Sequence, residues 1–110
     1  FYGRGWTQVS KTNSGLYQSA GRPTRAYTYR ELTTDYINKR SFDLYWDDSA
    51  RAPYLWSADS STFISFEDSQ SLRQKVSFVK ERSLGGIMFW EYGHDANGAL
   101  LDTLVRSLEE

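Results

Sequence analysis

Residues 84–91, Leu84-Gly85-Gly86-Ile87-Met88-Phe89-Trp90-Glu91, decide how this chain is read. Two glycines break whatever precedes them, and four apolar residues then follow without a polar interruption. Such a run suits a strand covered on both faces in a parallel sheet. Alternation puts Met88 and Trp90 on one side and Phe89 on the other. Upstream, Leu72, Val76, Phe78 and Val79 form an apolar stripe, with Arg73, Lys75, Lys80 and Glu81 outside it. An amphipathic helix is expected there, capped near Asp68 or Ser69 and ending at the glycines. Downstream, Gly93 to Asn97 reads as a polar loop, and Leu100, Leu101, Leu104, Val105 and Leu108 as a second amphipathic helix.

The other end of the chain mirrors this unit. Phe1 to Trp6 is a short aromatic stretch in which Gly3 and Gly5 mark close approach of the backbone to a neighbour. Residues 7–25 read as loop with one short strand, and Tyr29, Leu32, Tyr36 and Ile37 fall at helical spacing. Three aromatic runs follow, Phe42–Trp46, Ala52–Trp56 and Thr62–Phe66, separated by turns rich in Asp and Ser. Short spacers of this kind favour an antiparallel meander, with Pro53 at an edge or bulge. The resulting order is strand, insertion with its own small sheet, helix, buried strand, loop, helix. Without the insertion, two βα units remain, one quarter of a (β/α)8 barrel. The expected fold class is therefore α/β: a TIM-barrel quarter (residues 1–6 and 68–110) carrying an α+β insertion domain (residues 7–67).

Composition narrows the function. At 110 residues the chain is one domain or a piece of one. A net charge of −1, from 13 basic and 14 acidic side chains, provides no field toward nucleic acid or an anionic membrane. No apolar run reaches spanning length, and the opening hexapeptide reads like the inside of a domain rather than a signal peptide. With no cysteine and His94 as the single histidine, no metal site or cofactor is expected, and His94 is placed in an exposed loop. Asp95 is read as capping the last helix or bracing that loop. Aromatic residues make up 16% of the chain, which suits either a β-rich core or stacking against the C–H faces of sugar rings.

Two segments could carry chemistry. In Tyr2-Gly3-Arg4-Gly5-Trp6, a strand end would aim the five donors of Arg4 and the hydroxyl and face of Tyr2 into a cleft; a solvated surface strand is the other reading. In residues 84–91, Trp90 is either core or the floor of a pocket.

The tags FYGRGW, YINK, YWDD, APYLW, FISFEDSQSL and LGGIMFWE, in this order, resemble the C-terminal part of chitinases of glycoside hydrolase family 18. The resemblance covers essentially the whole chain. It implies that residues 1–6 are the seventh barrel strand, that an insertion domain precedes the seventh helix, and that LGGIMFWE is the eighth strand. It further implies that Trp90 is the floor under the sugar at the cleavage site, with Arg4 and Tyr2 lining the cleft, Met88 beside the floor and Glu91 at a position that only some members use. Gly21 to Ala26 departs from the family pattern, which has a Glu among glycines there, so that wall contact is not carried over. Tyr27 and Tyr29 could face sugar or pack in the core.

In this family a Glu ending a DxxDxDxE motif protonates the glycosidic oxygen, and the substrate's own N-acetyl carbonyl is the nucleophile. That motif is absent from residues 1–110. Asp43, Asp47, Asp48, Glu67 and Asp68 have other spacings and read as turn and cap residues. The resemblance therefore implies a piece of a larger, secreted enzyme that binds chitin or chitooligosaccharide, contains no catalytic residue of its own, and needs the rest of its barrel. A non-catalytic chitin-binding member of the family is the alternative. A free-standing lectin-like module is disfavoured by the open strand edges it would leave, which would drive self-association.

Overall fold

The computed structural model describes residues 1–110. Its centre is a five-stranded, wholly antiparallel sheet built from β1 (Tyr2–Thr7), β2 (Arg22–Thr28), β3 (Asp43–Asp47), β4 (Ala52–Ser57) and β5 (Thr62–Ser65), in the order β2-β1-β5-β4-β3. The meander expected of the three aromatic runs is present as β3-β4-β5. The opening hexapeptide does not stand apart from it. Arg4, Gly5 and Trp6 pair with Ser65, Ile64 and Phe63, while the other edge of β1 pairs with β2.

The second strand runs longer than the sequence suggested. Arg22, Pro23, Arg25 and Ala26 are exposed on the outer edge of the sheet, so β2 lacks the alternation that announces a half-buried strand. Pro23 and two arginines blunt that edge against further pairing. Pro53, expected at an edge or bulge, lies instead inside β4, paired with Trp46 of β3 and with its carbonyl accepting from the Phe66 N–H just past the end of β5 at 3.5 Å.

Between β2 and β3 the chain forms the short helix α1 (Tyr29–Glu31), which runs on into a π-helical turn over Leu32–Tyr36. Thr28 and Glu31 close a capping box, with the Glu31 N–H 3.0 Å from the Thr28 hydroxyl. The turn drives Leu32 into one face of the sheet, where it meets Tyr27, Phe42, Leu55, Ile64 and Phe66. Leu32, Leu55 and Ile64 are fully buried. Each contributes roughly 1.5–3 kcal/mol of transfer free energy. Tyr27 belongs to this core, and Tyr29, half-buried, packs between it and the second one.

That second core lies under α2 (Ser69–Glu81) and α3 (Ala99–Glu109) and joins Phe1, Leu72, Val76, Leu100 and Leu104. Asp68 caps α2 through the Ser71 N–H at 2.9 Å, as its position in the sequence indicated. Leu72, Val76 and Val79 are the buried stripe, but Phe78 is exposed, its ring covered only by the Arg82 guanidinium at 5.2 Å. At 100° per residue Phe78 stands well round the helix from Val76 and Val79, so apolar character alone misplaced it.

Asp95 holds the start of α3. It is buried, and its two carboxylate oxygens accept from the N–H groups of Leu100 and Leu101 at 3.0 Å each, and of Ala96 at 2.7 Å. Asp95→Ala would leave these donors without a partner, and is expected to destabilise the chain by about 2–3 kcal/mol, read as a shift in the denaturation midpoint. An unchanged midpoint would mean that water replaces the carboxylate without cost.

The strand expected at Ile87–Trp90 does not form. No residue in the segment is part of a strand ladder, and the Phe1 backbone nitrogen donating to the Trp90 carbonyl is its link to the start of β1. Nothing else within residues 1–110 lies beside it as a parallel partner. Ile87 and Phe89 turn inward, Phe89 stacking on Phe1 with ring centroids 4.4 Å apart, while Met88 is 83% and Trp90 63% exposed. The alternation holds; burial on both faces does not. No helix is long and apolar enough to cross a membrane.

Candidate carbohydrate-contacting cleft

The sequence of β1 explains how its chemistry is aimed. Gly3 and Gly5 face the core, where a Cβ at Gly5 would fall 2.4 Å from Thr24 Oγ1 and 2.9 Å from the Tyr27 ring. Only glycine fits there. The alternation then sends Tyr2, Arg4 and Trp6 to the opposite face of the sheet. Phe1, anchored by Phe89 and the Trp90 carbonyl, brings that face beside the 87–90 segment.

The result is a cleft of about 490 Å³ whose lining includes Tyr2, Arg4, Met88 and Trp90. Four of the five residues singled out from the sequence therefore share one cavity although they come from opposite ends of the chain. Met88 and Trp90 offer an open apolar surface on one side. Arg4 is exposed, with its guanidinium 5.6 Å from the Tyr2 ring centroid. Glu91, the fifth, is not part of the lining; its carboxylate instead lies 3.4 Å from His94 Nε2. His94, expected in an exposed loop, is half-buried and stands edge-on to Tyr2.

The cleft also contains residues the sequence did not flag. Trp6 and Ser65 extend its wall, and Glu67 and Lys75 form an ion pair of 2.6 Å on its border. Glu67 also accepts from the Ser71 hydroxyl at 2.9 Å, so the start of α2 fixes it. It was read as a turn residue because its partners lie one and two helical turns on, in what looks like a solvated face.

Outside the cleft, Tyr17 donates its hydroxyl to Asp47, joining the 8–20 loop to the β3–β4 turn. Foremost through that bond, and also through the Ser49 and Ala50 amides, the Asp47 carboxyl is held below the ordinary carboxylate range, and the Tyr17 phenol is raised. A depressed carboxylate contributes stability that is present above its unfolded pKa, near 4, and is lost as pH falls through the folded value. The raised phenol contributes below about pH 10 and loses its contribution as pH rises past that. Asp47→Asn, which removes the titrating group, is therefore expected to be less stable at neutral pH but to lose less on acidification, so that its acid unfolding begins at lower pH than its neutral-pH stability would suggest, and Tyr17→Phe should flatten both limbs. A Tyr17→Phe profile parallel to the parent's would show that this pair is not coupled to folding.

Residues 1–95 match the family model for glycosyl hydrolases family 18. The chain belongs to this family. Chitinase A1 of Niallia circulans is 36% identical over 115 residues, covering 98% of this chain and 16% of that protein. The structure of a family 18 N-acetylglucosaminidase from Paenibacillus barengoltzii superimposes with a TM-score of 0.91 at 45% identity, covering 98% of this chain and 32% of that one. A variant of the class V chitinase from Nicotiana tobaccum, in complex with NAG4, gives a TM-score of 0.78 at 25% identity and covers 100% of this chain and 33% of that one. The chain thus spans about a sixth to a third of the family 18 proteins it matches. Those structures are TIM barrels, whereas residues 1–110 form an α+β unit centred on the antiparallel sheet.

Proposed function

We propose that these residues are the part of a family 18 chitinase that supplies one wall and the floor of its substrate cleft, for hydrolysis of β-1,4-linked N-acetylglucosamine polymers. The observation that carries this reading is the convergence of Tyr2, Arg4, Met88 and Trp90 on one cavity in a chain of that family. Trp90 presents a flat, accessible indole on which a pyranose ring stacks. Met88 extends the apolar floor, and Arg4 and Tyr2 donate to sugar hydroxyl or N-acetyl oxygens from the wall. Glu91 contributes at the margin. Residues 1–6 and 68–110 belong to the barrel and 7–67 to the insertion, with β1 running from one into the other.

Chemistry follows the substrate-assisted retaining route, with the acid supplied from outside residues 1–110. The wall and floor hold the sugar so that its own N-acetyl oxygen reaches the anomeric carbon, a contribution of orientation rather than of proton transfer. The protein acts outside the cell, where insoluble chitin is met. The test is hydrolysis of an N-acetylglucosamine oligomer by the full-length protein, followed by the anomeric form of the product. Retained β configuration is expected. Binding without cleavage would place the protein with the non-catalytic members instead.

A further inference from the structure

The loop after Trp90 is tied down at more points than a connection to a helix requires. The Gly93 carbonyl accepts from Arg30 Nη2 of α1 at 2.9 Å, and Asp95 anchors α3. Between them His94 donates its backbone N–H to the Glu91 carbonyl at 3.0 Å and sets Nε2 3.4 Å from Glu91 Oε1. Its ring meets that of Tyr2 at 6.2 Å between centroids and an interplanar angle of 87°. The remaining ring nitrogen, Nδ1, is shielded from solvent and has no hydrogen-bond partner. A shielded, unmatched nitrogen is unfavourable, so hydrogen bonding at Nδ1 does not account for this placement. The placement does set an aromatic edge against Tyr2 and a nitrogen toward Glu91.

We infer that His94 is a positioning residue that fixes the Tyr2 ring at the cleft through the chain of contacts Arg4–Tyr2–His94–Glu91. Tyr2 is held between the Arg4 guanidinium and the His94 ring, and Glu91, the residue after Trp90, fixes the far side of the imidazole. Floor and wall are thereby joined by side chains as well as by the backbone bond from Phe1 to the Trp90 carbonyl. A tyrosine whose ring is already oriented surrenders less freedom when it meets a ligand, and this raises affinity without a new contact. The inference rests on the reading that the cleft holds an N-acetylglucosamine unit.

The test is a double-mutant cycle in the full-length protein, read as calorimetric affinity for an N-acetylglucosamine oligomer. His94→Ala is expected to weaken binding about three- to tenfold, the worth of one aromatic pair, whereas His94→Phe, which keeps the ring contact, stays within about twofold of the parent. In a Tyr2→Ala background, His94→Ala should have no further effect. Equal losses in both backgrounds, or a Phe variant as weak as the Ala variant, would overturn the proposal. NMR of labelled tyrosine in the unliganded protein supplies a second readout: the Tyr2 ring should flip faster in His94→Ala than in the parent or in His94→Phe. Unchanged flipping overturns the positioning role whatever the cleft binds. If instead Tyr2→Ala and Trp90→Ala both leave affinity unchanged while flipping responds to His94, the carbohydrate reading has failed and the positioning has not.

Discussion

On the proposed reading, residues 1–110 on their own are expected to release no sugar from N-acetylglucosamine oligomers, because the acid of the family mechanism is supplied from outside them. Protonation of the leaving oxygen by a placed acid is worth about 10²–10⁴ in rate, and correct orientation of the nucleophile more again. The carboxylates that this chain brings near the cleft are engaged: Glu67 with Lys75 and Ser71, Glu91 with His94. Asp47, Asp68 and Asp95 brace a loop and cap two helices. Each of them is held by a contact within the chain. The same exposed surface makes a second outcome of this experiment. Met88 and Trp90, open on a segment outside any strand ladder, form a patch at which copies of the chain should pair in sedimentation. Measurable turnover, or a monodisperse monomer, would contradict the respective half of this expectation.

Trp90→Ala is the substitution with the largest expected effect on binding. A tryptophan buried in a core costs roughly 3–5 kcal/mol of stability when cut to alanine. Here most of the indole is already open, so the stability of the chain should change by no more than about 1 kcal/mol. What truncation removes is the stacking surface, on the order of 1 kcal/mol or more of affinity, which is about a tenfold rise in Kd. The pairing of a small stability loss with a clear affinity loss is what separates a floor from a core residue. Met88→Ala should follow the same pattern with a smaller loss, since a thioether provides contact area but no ring face.

How far the sequence could be read depended on how local each signal was. The α2 and α3 helices, their caps at Asp68 and Asp95, and the β3-β4-β5 meander all follow from periodicity and turn chemistry within a few residues. The Thr28/Glu31 capping box was equally local and marks the start of α1. What could not be read was long-range. That β1 lies between β2 and β5 depends on pairings across some twenty and sixty residues, with no local counterpart in composition. An exposed edge strand such as β2, written in Arg, Pro and Thr, carries no burial pattern to detect. The apolar run at Ile87 was read as covered on both faces because its composition demands it, yet residues 1–110 cover only the Ile87 and Phe89 side. His94 reached Tyr2 only through a loop whose path Arg30 and Asp95 set together. That Tyr2, Arg4, Met88 and Trp90 line one cleft was legible because strand alternation aims them and family motifs mark them; Trp6 follows from the same alternation, and Glu67 and Lys75 entered the cleft through packing.

The central claim is that Trp90 is a sugar floor facing the Tyr2 and Arg4 wall. It is tested most directly by calorimetric titration of an N-acetylglucosamine oligomer into the full-length protein and its Trp90→Ala variant. The account predicts a Kd raised about tenfold or more with the fold intact. An unchanged Kd in a folded variant would contradict it and return Trp90 to the role of a structural side chain.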